Sequence, residues 1–268
     1  MSFEKHMSDN DIRSFIAEVE LADSSRPVIQ QRRAMSIGRA RTALVTENAD
    51  AAVVGSNLLA FAEGVSRQNK EDVMDSFLFA TLVANKAFNP ETQSVDWYSR
   101  FYKVLSTVGW LSTSWSYERY QSNHQRFTME QAGLEILASA IAAAALPGPA
   151  SVAMLKVAGD AVKALAAKEK PLGLFERQTK SHNGASFRIG ACAESQDGTV
   201  NLAMGAVNFE ASSTVTDVLF WEWNSSEVKT FRGEDSLVLN TRLYAGHREL
   251  IQQRLGTNAQ TAIAEFDI

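Results

Sequence analysis

Up to about Pro171 the apolar residues of this chain recur every three or four positions and glycine is scarce; after it, short alternating runs are punctuated by Gly, Asn and Ser. The first spacing is that of a helix face, the second that of strands. The pattern predicts an α+β protein: an N-terminal helical bundle with an apolar helical hairpin over residues 1–170, then a C-terminal antiparallel β-sandwich over 171–268 with a short helix at 245–255. Ser8 or Asp9 opens a first helix that puts Ile12, Phe15, Ile16 and Val19 on one face. A run from Val28 to Val45 is interrupted by Gly38, and residues 48–66 read as a helix through Val53, Val54, Leu58, Leu59 and Phe61. Asn69, with Asp72 three residues on, caps a further helix that Asn89-Pro90 ends. Another runs from about Ser94 to Leu111. In the connection 112–127, Ser114, Ser116 and Glu118 alternate with aromatics, which favours an extended segment.

The most unusual stretch lies between Glu135 and Lys156, twenty residues without a charge, with Pro147-Gly148-Pro149 at its centre. Neither proline can donate a hydrogen bond inside a helix, and each biases the residue before it away from α geometry, so the run folds back at Gly148. Thr128 and Gln131 form a capping box for the first arm. Arms of 19 residues, 128–146 and 149–167, would each be about 28 Å long, close to the ~30 Å hydrocarbon core of a bilayer. Lys156, Asp160 and Lys163 make a polar stripe on the second arm. Two readings stay open: a hairpin that is the core of a soluble bundle, and a hidden element released onto a membrane. Ile136, Ile141, Leu146, Pro147, Gly148, Pro149 and Leu155 mark the hairpin in either case.

Beyond Pro171 the strand candidates are 174–179, 186–193, 199–209, 215–223, 227–231, 237–244 and 259–266. Asn183-Gly184 and Asp197-Gly198 are hairpin-turn dipeptides, because such turns need positive φ, and Arg232-Gly233-Glu234-Asp235 reads as another break.

The formal charge of -5 is spread over both parts, and the densest basic group, Arg32, Arg33, Arg39 and Arg41, is better read as a solvated helix face. A nucleic-acid partner is therefore not expected. The single cysteine, Cys192, allows no intrachain disulfide and reads as a small buried strand residue. The first residues carry acidic side chains and no apolar stretch. That predicts a soluble chain without a Sec signal peptide, cytoplasmic as synthesised and open to later release.

Phe220 and Glu222 fall on one face of a strand, Trp221 and Trp223 on the other, as core or as a platform for a lipid headgroup, a sugar or a partner. Trp221-Glu-Trp-Asn leading into Val228-Lys229-Thr230-Phe231, with a final Ala262-Ile-Ala-Glu-Phe-Asp-Ile strand, resembles the carboxy-terminal half of actinoporin-type cytolysins. The resemblance covers about 50 residues. It implies phosphocholine binding by an aromatic cluster, here Trp221, Trp223 and Phe231, and insertion of a helix that precedes the sandwich. The family's Arg-Gly-Asp is replaced by Arg232-Gly233-Glu234, and some 170 preceding residues have no counterpart.

No residue set names a reaction. His6, His124, His182 and His247 lie far apart, no phosphate-cradling loop or nucleophile elbow occurs, and His247-Arg248-Glu249 reads as surface. No catalytic, cofactor or metal site is expected, and a hydrolase would need a triad assembled only in space. The functional expectation is a membrane-active, pore-forming toxin-like protein that meets a lipid or glycan surface and inserts the hairpin, with self-association compatible. The alternative is a non-enzymatic protein- or carbohydrate-binding module in which the hairpin is ordinary core.

Overall fold

The computed structural model describes residues 7–24, 50–122, 124–144, 146–212, 215 and 217–268; the run expected at 28–45 lies outside the described residues. Helix α1 (Asp9–Glu18) begins as its sequence dictates, with the Ser8 side chain accepting from the Asp11 amide and the Asp11 carboxylate accepting from the Ser8 amide.

The segment read as a helix at 48–66 is instead a β-hairpin, β1 (Ala51–Val54) and β2 (Asn57–Phe61), turning at Gly55 with φ of 56°. Both strands are buried on both faces, so the polar alternation that marks a half-exposed strand is absent. Helices α2 (Arg67–Ala87) and α3 (Ser94–Thr107) follow, α2 capped by Ser66 rather than Asn69. Asp72, expected in a capping box, is buried and accepts two 2.7 Å hydrogen bonds from Arg248. Strand β3 (Trp110–Tyr120) confirms the extended reading, and β4 (Arg126–Thr128) leads into α4 (Met129–Ala143) and α5 (Gly148–Ala166).

The stretch 174–179, read as a strand, lies within helix α6 (Glu169–Thr179); Pro171 sits in its first turn, where a missing amide costs nothing, rather than breaking it. The remaining elements are β5 (Gly184–Glu194), β6 (Val200–Ala211), β7 (Glu222–Asn224), β8 (Val228–Leu239), α7 (Thr241–Ala245), α8 (Arg248–Leu255), α9 (Thr257–Ala262) and β9 (Ile263–Phe266). Strand β8 runs straight through Arg232-Gly233-Glu234-Asp235. Gly233 is there because a Cβ would lie 2.6 Å from the Tyr98 ring, not because the chain turns.

Among the described residues, seven strands form one mixed sheet in the order β3-β8-β6-β5-β2-β1-β9, with β2 and β5 parallel and the other neighbours antiparallel; β4 and β7 pair separately. This corrects the expected bundle followed by a sandwich. The N-terminal strands β1 and β2 enter the same sheet as β5, β6 and β8, and a sheet with helices on both faces has no second sheet to pack against. One face, through Leu59, Cys192, Leu202, Met204 and Leu237, packs against α1, α2, α3 and α8. The other, through Val53, Leu58, Phe187, Ile189 and Val207, packs against α4, α5 and α6.

Candidate functional site

The apolar hairpin is the outer layer on the second face, not the centre of a bundle. Helix α4 buries Met129, Ala132, Gly133, Ile136, Leu137, Ala140 and Ile141, the i, i+3, i+4, i+7 stripe of a helix packed on one side. Thr128 and Gln131 cap it reciprocally, as the sequence requires. Two glycines set how closely it lies on the sheet. A Cβ at Gly205 of β6 would come within 2.9 Å of the Leu137 backbone nitrogen and 3.1 Å of the Gly133 carbonyl oxygen, and one at Gly133 within 2.7 Å of Ile189 Cδ1. Helix α5 buries Met154, Ala158, Ala161, Val162 and Leu165.

The turn end is different. Ala142, Ala143, Pro147, Gly148, Pro149 and Ala153 are exposed, with Val152 at 69% and Leu155 at 41%, while Leu146 is half-buried against the core. No charge occurs there before Lys156. Polar ties to the body are few. Tyr120 Oη donates to Glu135 Oε2 at 2.7 Å, Ser139 Oγ to Glu234 Oε2 at 3.0 Å, and the Glu130 amide to the Leu219 carbonyl at 3.0 Å. Burial and the Glu135 carboxylate push the Tyr120 hydroxyl up to about 12, which keeps it a donor. Among the described residues, α5 makes side-chain hydrogen bonds only within 146–166, from Ser151 to the Leu146 carbonyl and from Lys156 to Asp160 at 2.9 Å. Apolar packing therefore does most of the work of holding the hairpin on the sheet.

The three aromatics singled out in the sequence do not share a surface. Trp221 precedes β7 and is 55% exposed; Trp223 in β7 is 3% exposed and packs on Phe209 with ring centroids 5.4 Å apart. Phe231 in β8 stacks on Tyr117, which packs with the core of the opposite sheet face. The alternation of Trp221 and Trp223 does not hold because β7 begins only at Glu222.

Several features escaped the sequence. His247, read as surface, has its side chain fully buried, and burial pulls its imidazole below its usual range, opposed by the Asp9 carboxylate. Arg188 is a buried guanidinium within strand β5, whose only signal in sequence was a lone charge between Phe187 and Ile189. Asp235 is fully buried, with Tyr98 Oη and Ser112 Oγ each 3.4 Å from its carboxylate, and burial pushes it up to about 8. Among the described residues no three His, Cys, Asp or Glu side chains converge as metal ligands would, and no helix is long and apolar enough to cross a membrane.

No family model matches the sequence, and no curated protein matches it. Among solved structures, the chain is weakly similar to one titled delta-endotoxin, with a TM-score of 0.39 and 11% identity over 80% of this chain and 89% of that one. It is also weakly similar to the Evf virulence factor, with a TM-score of 0.30 and 11% identity over 83% of this chain and 87% of that one. Neither title names an actinoporin, and that resemblance is not shown.

Proposed function

We propose that this is a membrane-active, toxin-like protein that acts by binding rather than by catalysis, docking the α4–α5 hairpin on a lipid surface tip first. The exposed, uncharged turn end of the hairpin carries the proposal: Pro147, Pro149, Val152 and Leu155 offer an apolar wedge to lipid. Once the tip is buried, the rest of the hairpin can follow: lipid replaces the apolar contacts its helices leave, and among the described residues α4 gives up three hydrogen bonds to the body and α5 makes no side-chain hydrogen bond to it. Lys163 on the exposed side of α5 would face anionic headgroups.

The helix lengths refine the mode of entry. With 15 residues α4 is about 22 Å long, short of a ~30 Å hydrocarbon core, whereas the 19 residues of α5 give about 28 Å. The pair therefore enters the interfacial region and disorders it, several copies together opening a leak, rather than spanning as two full-length helices. The test is dye release from liposomes by wild type and by a Val152→Asp, Leu155→Asp variant. Both positions are exposed, so the variant keeps the wild-type melting temperature; its leakage should be lost. A wild type that releases no dye, or a folded variant that leaks as fast, would overturn the proposal.

A further inference from the structure

Arg188 lies at position 5 of β5, between Phe187 and Ile189, on the sheet face covered by α2 and α3, and is 2% exposed. Its guanidinium stacks 4.2 Å from the centre of the Trp97 ring and 5.2 Å from that of Phe101. Nε donates to Asn57 Oδ1 at 2.6 Å and Nη2 donates to Ser56 Oγ, both neutral acceptors. Among the described residues no carboxylate forms an ion pair with it, and the hydrogen bonds it donates leave from Nε and Nη2 alone. Asp235 is engaged instead with Tyr98 and Ser112. A buried charge without a counter-charge is costly, and ring faces and neutral acceptors offset only part of that cost. Burial pulls the guanidinium down to about 9, opposed by the nearby Tyr98 and Tyr117 hydroxyls.

The same arginine lines a cleft of about 170 Å³ at the end of the sheet, between the start of β5, the end of β6, the carboxyl end of α6 and the loop at 90–92. Polar groups of Ser56, Asn85, Thr92, Asn183 and Ser186 line it with Trp97. Glu91 and Glu210 also line it and are exposed, Glu210 lying 3.7 Å from Lys229. These carboxylates disfavour a multiply charged anion and leave a singly charged one acceptable.

We infer that the cleft is a binding site for a small, singly charged oxyanion, a carboxylate or a phosphodiester free in solution, which takes the open Nη1 donor of Arg188 and supplies its missing counter-charge. Guanidinium and oxyanion form the stronger, charge-assisted class of hydrogen bond, and Trp97 fixes the plane of the fork. No residue of α4 or α5 lines the cleft, so the site stands or falls independently of the membrane reading.

The experiment is calorimetric titration with propionate and with dimethyl phosphate, chloride holding the ionic strength constant. Wild type should bind at least one of them saturably, and Arg188→Met, similar in length but uncharged, should bind at least tenfold more weakly while folded by circular dichroism. Ser186→Phe, on a half-buried position of the cleft wall, should block binding with Arg188 intact, and it serves alone if the arginine variant does not fold. No saturable binding of either probe to wild type, or undiminished binding to Ser186→Phe or to folded Arg188→Met, would overturn the assignment.

Discussion

Replacing Gly205 with Ala puts a methyl group where α4 touches β6. The added Cβ would sit 2.9 Å from the Leu137 backbone nitrogen, 3.1 Å from the Gly133 carbonyl oxygen and 3.2 Å from Ile136 Cγ2. Two of these neighbours are helix backbone, which cannot rotate away as a side-chain tip can, so α4 must lift by several tenths of an ångström along its buried stripe. Overpacking of this kind costs roughly 1–3 kcal/mol, a substantial part of a total stability of roughly 5–15 kcal/mol. Gly133→Ala supplies the comparison. Its closest neighbour, at 2.7 Å, is Ile189 Cδ1, the end of a flexible side chain, so it should cost less. Gly159→Ala in α5 meets nothing within 4 Å and should stabilise by about 0.5–1 kcal/mol, since glycine weakens a helix interior. Urea denaturation of the three variants reads these differences directly, and dye release reads their consequence: Gly205→Ala, which loosens the hairpin from the sheet, should leak faster than wild type. A Gly205→Ala protein as stable as wild type would refute the close-packing argument, and one that is destabilised but leaks no faster would refute the link between hairpin release and leakage.

The tryptophans should behave oppositely. Trp223→Ala opens a core cavity and should cost about 3–5 kcal/mol, whereas Trp221→Ala, at an exposed site, should stay within about 0.5 kcal/mol; equal melting shifts would contradict their placement. Two buried carboxyls should contribute less stability as pH rises. Burial raises Asp235 to about 8 and Asp75 to about 6, Asp75 against a hydrogen bond from Gln252 and with help from the Asp72 and Glu71 charges. The folded chain therefore holds protons that the unfolded chain, with carboxyls near 4, has lost. Their stabilisation is full below pH 4 and is lost by about pH 6 for Asp75 and pH 8 for Asp235, at no more than about 1.4 kcal/mol per pH unit for each group. Asp235→Asn should shrink the loss of stability between pH 5 and 8.5 seen by urea denaturation; an unchanged difference would show that Asp235 does not titrate in this window.

Local rules carried the sequence reading as far as local chemistry decides structure. Ser8 with Asp11, Thr128 with Gln131, Asp197-Gly198 between β5 and β6, and the prolines at the hairpin turn all act within a few residues, and all are in place. What failed depends on partners far along the chain. β1 and β2 lost their alternation because both faces of the sheet are covered where they lie, which also hid that β2 pairs with β5. Gly233 looked like a turn and is a gap for the Tyr98 ring; Arg188 looked like the charged position of an ordinary strand and is a buried cation. The hairpin was legible as an object, from its lack of charge and its Pro-Gly-Pro, but not its seat on the sheet, since Gly133 and Gly205 have meaning only when brought together.

Locking the hairpin to the sheet tests the central claim most directly. Ser139 of α4 and Glu234 of β8 already meet at 3.0 Å, so cysteines at both positions can be joined by a short reducible linker, while Cys192 is fully buried and burial raises its thiol far above the usual range, leaving it unreactive. Liposome dye release by this variant should be abolished when linked and restored on reduction. Leakage at the same rate in both states would show that the hairpin stays on the sheet and that another part of the molecule acts on the membrane.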